Sequence, residues 1–341
     1  MLKRILIVKP SSLGDIVHAF PLVSSIKSFD SAIQVDWVVN SEFRDFVGRN
    51  ESVERVLSFP RSSWGKEGFW TRFLSFANDL RKTRYDAVLD AQGLFRSGFL
   101  SRLSHSSRVI GFEDAREGGK YFYTEKIPVP APLHAVKKNL LLLKPLGIRE
   151  KFTEATFQYT PADHARLDEI LRQSGLDPGE PFILVHPGAK RAIKMWPSLY
   201  FSELVRGLEN LRKEKVVLLG GERDAPLLDE IRTRAGTENP VLPGTVPIDF
   251  LPLLMKKAVL YIGNDSGPLH IAVMSQTPTI SFYGSSDPSR TGPFGPSEAN
   301  MVLSDPVECS PCGDFKKFCS HQSCMVGVTP GRVMETIRKI T

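Results

Sequence analysis

Strand-length apolar runs alternate with longer segments of helical period along almost the whole chain. This alternation constrains the fold more than any other feature. In the first half, residues 4–8, 34–39, 53–59, 87–91 and 109–111 read as strands, and residues 15–28, 42–49, 69–83, 94–104 and 134–146 read as helices. A looser stretch follows over 149–161, and then the pattern resumes. Strands are expected over 182–186, 215–219, 259–263 and 279–283, with helices over 163–174, 198–209, 224–235, 248–257, 269–274 and 330–340. Strands separated by helices build parallel sheets from βαβ units. The expectation is therefore an α/β protein of two doubly wound domains, residues 1–155 and 156–341, and a length of 341 residues suits two domains. Ligands of such sheets bind at the carboxyl ends of the strands, so the residues just after each strand hold the chemistry.

The first strand, Ile5-Leu6-Ile7-Val8, runs into Lys9-Pro10-Ser11-Ser12-Leu13-Gly14-Asp15. The loop has neither the glycine fingerprint of dinucleotide folds nor that of phosphate loops. It offers one carboxylate, Asp15, as a candidate general base. Ser12-x-x-Asp15 also fits a helix capping box, and on this loop alone the cap is the better reading.

Three later strand ends have a different character. The strand over 182–185 ends in His186-Pro187-Gly188-Ala189-Lys190-Arg191-Ala192-Ile193-Lys194. Gly188 lets backbone approach a ligand closely. The cations suit a phosphate, or form a solvated basic loop. The strand over 216–219 ends in Gly220-Gly221-Glu222, where an acid can accept hydrogen bonds from ribose hydroxyls or complement a helix dipole. The strand over 260–263 ends in Asn264-Asp265-Ser266-Gly267-Pro268-Leu269-His270. Asp265 or Ser266 would cap a helix whose free N–H groups attract anions, and His270 is by default a structural residue. Together these describe a nucleotide-diphosphate site, with Asp15 facing it from the other domain.

Charge and composition narrow the partners. A formal charge of +6 suits an anionic substrate, a membrane surface or nucleic acid, and no nucleic-acid-binding motif is present. Met1-Leu2-Lys3-Arg4 leads into a run of strand length only, and no apolar stretch approaches the ~20 residues of a spanning helix. A cytoplasmic protein is expected. Arg61, Lys66, Arg72, Arg81, Lys82 and Arg84 interleave with Trp64, Phe69, Trp70, Phe73 and Phe76. Such a segment suits peripheral attachment to an anionic membrane, and equally an ordinary helix with its apolar face in the core.

All four cysteines fall in Cys309-x2-Cys312-x6-Cys319-x4-Cys324, with His321 inside the run. In a cytoplasmic chain this spacing reads as a metal knuckle ahead of reduced thiols or disulfides. Zinc is the default ion and iron fits by ligand type, in either case as a structural staple.

The segments Lys9-Pro-Ser-Ser-Leu-Gly-Asp15, Asp90-Ala-Gln-Gly-Leu94, Gly220-Gly-Glu222 and Asn264-Asp-Ser-Gly-Pro-Leu-His270, in this order and spacing, resemble the ADP-heptose:lipopolysaccharide heptosyltransferases of glycosyltransferase family 9. The resemblance implies a GT-B fold, in which two Rossmann-like domains face each other across a cleft. It implies inverting transfer of heptose from ADP-heptose to the Kdo/heptose inner core of lipopolysaccharide without a catalytic metal or cofactor. The partners would be ADP-heptose, a lipid A–Kdo precursor and the anionic inner face of the inner membrane. By the same resemblance Asp15 is the base, and Ser12, Arg61, Lys66, Gln92 and Arg116 meet the acceptor. Lys194 meets the diphosphate, Glu222 the ribose and Asp265 the heptose hydroxyls. Ser266 and Gly267 lie against the phosphates, and Gly188, Ala189 and His270 complete the donor side. The segments Asp90-Ala-Gln-Gly-Leu94 and Ala115-Arg116-Glu117 look most like the family's first enzyme, which acts on Kdo, while the cysteine-bearing tail looks more like the second. A sugar-nucleotide epimerase or a non-catalytic nucleotide-sugar binding protein of the same architecture are the alternatives.

Overall fold

The computed structural model describes residues 2–151, 155–295, 298–312 and 319–339. The chain divides into two compact units, Met1–Gln158 and Tyr159–Thr341. The boundary falls just past residue 155 because Phe157 belongs to the first unit. It bridges antiparallel to Asn50 and packs its ring against Phe20 and Phe46, with centroids 5.4 and 5.6 Å apart.

In the first unit, β1 (Arg4–Val8), β2 (Gln34–Asn40), β3 (Arg55–Phe59), β4 (Ala87–Asp90), β5 (Val109–Phe112) and β6 (Glu125–Ile127) form one sheet in the order β3-β2-β1-β4-β5-β6. The pairings are parallel. Ile5 to Val8 are fully buried, as expected for a central strand covered on both faces. The helix Phe69–Arg81 presses Phe76 and Leu80 onto Leu57, Phe59 and Val88.

The second unit repeats the plan. It holds β7 (Phe182–His186), β8 (Lys215–Gly220), β9 (Val241–Pro243), β10 (Ala258–Asn264), β11 (Thr279–Tyr283) and β12 (Asn300–Ser304), in the order β12-β11-β10-β7-β8-β9. Counted within each unit, the strand orders are the same and match the doubly wound dinucleotide-binding order. The winding reverses between β1 and β4 in one sheet and between β7 and β10 in the other. Those are the points where such sheets bind ligands.

The differences from expectation have local causes. Residues 15–28 form two helices, Leu13–Val17 and Phe20–Phe29. Pro21 has no N–H and its ring would clash with the carbonyl four residues back, so one helix must stop before it. Pro145 acts likewise: the helix Ala135–Leu140 tightens into a 3-10 segment, Leu141–Leu146. The strands that periodicity misses, β6, β9 and β12, are all sheet edges of three to five residues. The final helix spans Pro330–Lys339, and residue 340 lies outside the described residues.

Candidate functional site

In the first unit the register sets Val8 opposite Asp90, so Lys9 and Ala91 leave the sheet side by side. The Lys9 ammonium, 8% exposed, donates to the Ala91 carbonyl at 2.8 Å. The Ser11 N–H donates to Gln92 Oε1 at 3.3 Å, and the Arg116 N–H donates to the Gly93 carbonyl at 2.9 Å. The loops after β1, β4 and β5 are thus bonded to one another. Asp90, fully buried, braces the middle loop: it accepts from the N–H groups of Gln92 and Gly93 and from the Tyr123 hydroxyl. Burial pushes its carboxyl up, against the pull of those donors.

Asp15 sits in the first turn of the helix Leu13–Val17 and uses its two oxygens differently. Oδ2 accepts from the Ser12 N–H at 3.0 Å and from the Ser12 hydroxyl at 2.7 Å. Oδ1 lies 3.9 Å from Lys9 Nζ. Burial would raise this carboxyl, but the Lys9 charge and the two Ser12 hydrogen bonds outweigh it and hold the group below the usual carboxylate range. The side chain is nonetheless 48% exposed. Cap and candidate base are therefore not alternatives, because one oxygen caps while the other lies beside a cation in a half-exposed side chain.

Of the expected acceptor residues, Ser12, Gln92 and Arg116 lie on these three linked loops. Arg61 and Lys66 follow β3, at the sheet edge. There the Arg61 and Arg96 guanidinium groups both lie over the Trp64 ring, 5.7 and 5.8 Å from its centroid. Burial and the neighbouring Arg61 charge lower the Arg96 pKa. Arg96 escaped the sequence reading, although it stands four residues past Gln92 in the helix Phe95–Leu103.

In the second unit, Gly263 pairs with His186, so Asn264 emerges beside Pro187. The Asn264 side chain donates to the Pro187 carbonyl at 2.7 Å and accepts from the Trp196 N–H at 2.9 Å. Trp196 is 1% exposed, stacks on Phe282 at 4.4 Å and donates its indole N–H to the Val328 carbonyl. The loop bearing Lys194 is nailed down at its end by that ring. Lys194 Nζ donates to Asp265 Oδ2 at 2.5 Å. The Ser286 hydroxyl donates to the same oxygen, Tyr283 donates to Oδ1, and His270 Nε2 lies 3.6 Å from Oδ1. Burial would raise the Asp265 carboxyl, but the His270 hydrogen bond and the Lys194 charge hold it far below the usual range. Ser266 begins the helix Gly267–Met274 and its hydroxyl lies 3.4 Å from His186 Nδ1. Burial lowers the His186 pKa to about 4.

Glu222 is exposed at the start of the turn Glu222–Asp224. Its neighbour Asp224 explains Gly188. A Cβ there would come 2.8 Å from Asp224 Oδ2, so the glycine makes room for the protein's own carboxylate beside half-buried Ala189. Asp224, Asn264, Tyr283 and Ser286 had no separate signal in the sequence beyond lying at or near strand ends.

The cysteine run is described in part. Cys324, on the helix Ser323–Val326, is 6% exposed in the core with Met325, whereas Cys309 faces solvent 3.9 Å from His321. Burial, and then the other three thiols, push the Cys324 thiol up. Among the described residues no three His, Cys, Asp or Glu side chains are gathered to hold a metal ion. The other three thiols lie near enough for their charges to act on Cys324, and residues 313–318, between Cys312 and Cys319, lie outside the described residues. The segment is tied to the loop after β7: the Gln322 amide donates to the Ala192 carbonyl at 3.2 Å.

The model of glycosyltransferase family 9 (heptosyltransferase) matches residues 73–324. The chain is 30% identical to lipopolysaccharide heptosyltransferase 1 of Pseudomonas aeruginosa over 94% of its own length and 88% of that protein. It is also 30% identical to lipopolysaccharide heptosyltransferase 1 of Escherichia coli K12, over 89% and 94%. Its structure is similar to E. coli heptosyltransferase WaaC with ADP, at a TM-score of 0.78 and 26% identity, covering 99% of this chain and 100% of that one.

Proposed function

Since this chain belongs to glycosyltransferase family 9, the heptosyltransferases, we propose that it moves L-glycero-D-manno-heptose from ADP-heptose to the inner core of a lipid A–Kdo precursor, with inversion at the sugar carbon. One observation carries the reading. Each sheet sets a lysine and an aspartate together at its switch point, and of the two aspartates only that of the first unit has a half-exposed side chain. In this reading Asp15 Oδ1 accepts the acceptor hydroxyl proton as that oxygen attacks the sugar. The attack comes from the face opposite the departing diphosphate. Lys194 and the N–H groups at Ser266 and Gly267 receive the negative charge that develops on ADP. Glu222 accepts from the ribose hydroxyls, and Asp265 holds Lys194 while addressing the heptose hydroxyls. Ser12, Gln92 and Arg116 orient the acceptor, and Arg61, Lys66 and Arg96 meet its outlying anionic groups. The structural relative solved with ADP-2-deoxy-2-fluoro heptose supports the donor assignment.

Peripheral attachment to the inner face of the inner membrane is part of the proposal. The helix Phe69–Arg81 buries Phe69, Phe76 and Leu80 but leaves Trp70 71% and Leu74 58% exposed, with Trp64 exposed beside it. Among the described residues no helix is long and apolar enough to cross a membrane. Mixing the protein with ADP-heptose and precursors truncated after Kdo or after the first heptose tests the reading. ADP release that requires both partners is expected, and no release with either precursor overturns it.

A further inference from the structure

We propose that Lys9 is a positioning residue of the transfer reaction: its buried ammonium is clamped beside Asp15 so that this carboxylate stays ionised and meets the acceptor through Oδ1. The inference rests on the reading of Asp15 as base, and goes beyond it to a residue that acts through Asp15.

Three features of the fold clamp the ammonium. The Lys9 N–H donates to the Val38 carbonyl at 3.2 Å, and the Lys9 carbonyl accepts from the Trp37 indole at 3.3 Å, so its backbone is tied to β2. Its side chain runs the other way and donates to the Ala91 carbonyl beyond β4. Those ties span the sheet at its switch point, and the side chain that carries the charge is only 8% exposed. An ammonium has three donors, and the Ala91 carbonyl uses one. At 3.9 Å from Asp15 Oδ1 the ammonium is too far for a direct hydrogen bond. It is near enough for charge to act on charge. Oδ2 is already occupied by both Ser12 donors, so Oδ1 is the oxygen that can take a proton.

The other charged and titratable groups around this pair are few. His18, on the turn after Asp15, acts on Asp15 in the same direction as Lys9, only more weakly. Asp90 from β4 favours the Lys9 charge, while Lys138 and Arg116 oppose it, all more weakly than burial. Asp15 is half-exposed, so water screens part of the Lys9 effect. The expected shift on removing the charge is therefore at the low end for a neighbouring opposite charge, about one pH unit.

The test is the pH profile of kcat/KM together with a carbon-13 NMR titration of the Asp15 carboxyl. In the native protein Asp15 should titrate below the ordinary carboxylate value of about 4. In Lys9→Met the titration and the acid limb should both rise by about one unit. Lys9→Arg keeps the charge and should leave the limb in place. Lys9→Gln, which retains a donor for the Ala91 carbonyl, stands in if the methionine variant fails to fold. A native Asp15 titrating at or above about 4 overturns the inference, as does an acid limb that is unmoved, or equally moved, in the neutral and arginine variants. If Asp15→Asn keeps full turnover, the base assignment itself has failed, which is a distinct outcome.

Discussion

The two units have one topology and one pair of residue types at the switch point, yet they treat the carboxylate in opposite ways. Asp265 is 5% exposed and committed: Lys194 at 2.5 Å, Ser286, Tyr283 and His270 all address it. Asp15 is 48% exposed, its lysine stands off at 3.9 Å from Oδ1, and the two Ser12 donors both go to Oδ2. A carboxylate that four donors already address is a fixture that orients a lysine, and a sugar hydroxyl reaches it only by displacing one of them. A half-satisfied one can act as a base. In the proposed reading the same fold element serves binding in one unit and proton transfer in the other. The difference lies in how many donors surround the acid and how close its lysine comes.

Replacing Asp15 with Asn should break the contrast most severely. The variant is expected to lose about 10²–10⁴-fold in kcat while binding ADP as before, because the amide cannot take the proton. Steady-state kinetics beside calorimetry with ADP decides this. Near-native turnover would reduce Asp15 to the helix cap.

Lys194→Ala should weaken ADP binding at least tenfold and also lower stability by about 3 kcal/mol, since it strands a buried carboxylate. Glu222→Ala, on an exposed residue, should weaken ADP binding with little change in melting temperature. Calorimetry and thermal denaturation of both variants check this. ADP affinity unchanged in both would remove the donor site from the second unit.

A smaller effect follows from His186, which lies beside the donor helix and is neutral in the native state. Its native pKa is about 4, below the ~6.5 of an unfolded histidine. Below about pH 6.5 the unfolded chain takes up a proton that the native state refuses, so stability is full above that pH and declines towards pH 4 by up to about 3 kcal/mol. Urea titrations across this range should show the decline, and His186→Gln should flatten it. A native curve already flat from pH 6.5 to 4 contradicts the burial argument.

The smallest effects concern the periphery. Trp70→Ser should lower sedimentation with anionic vesicles at low salt while leaving turnover on a soluble acceptor intact. For the cysteine run we propose a structural zinc or iron ion, so protein purified without chelator should carry about one equivalent of transition metal. Less than about a tenth of an equivalent would sink the knuckle that the spacing suggests.

Much of this was written in the order of the residues. Periodicity alone located the central strands, because a strand covered on both faces must be a continuous apolar run, as Ile5 to Val8 and Phe182 to Val185 are. It missed β6, β9 and β12 because a short edge strand needs no such run. The motifs after β1, β7, β8 and β10 were legible because polar residues at strand ends stand out against apolar strands. What Gly188 is for was not legible: the side chain that fills its empty space, Asp224, comes from another strand's loop. The cysteine spacing likewise said nothing of Cys324 pointing into the core.

Residue type and order determined that this chain has two parallel sheets, where their ligands bind and which side chains are on hand. Only the tertiary structure decided what each of those side chains does. Register set Lys9 against Ala91 and Asn264 against Pro187, and packing set one lysine at 3.9 Å from its acid and the other at 2.5 Å. Electrostatic interaction depends on separation and on the water between charges, and neither quantity is a property of sequence spacing.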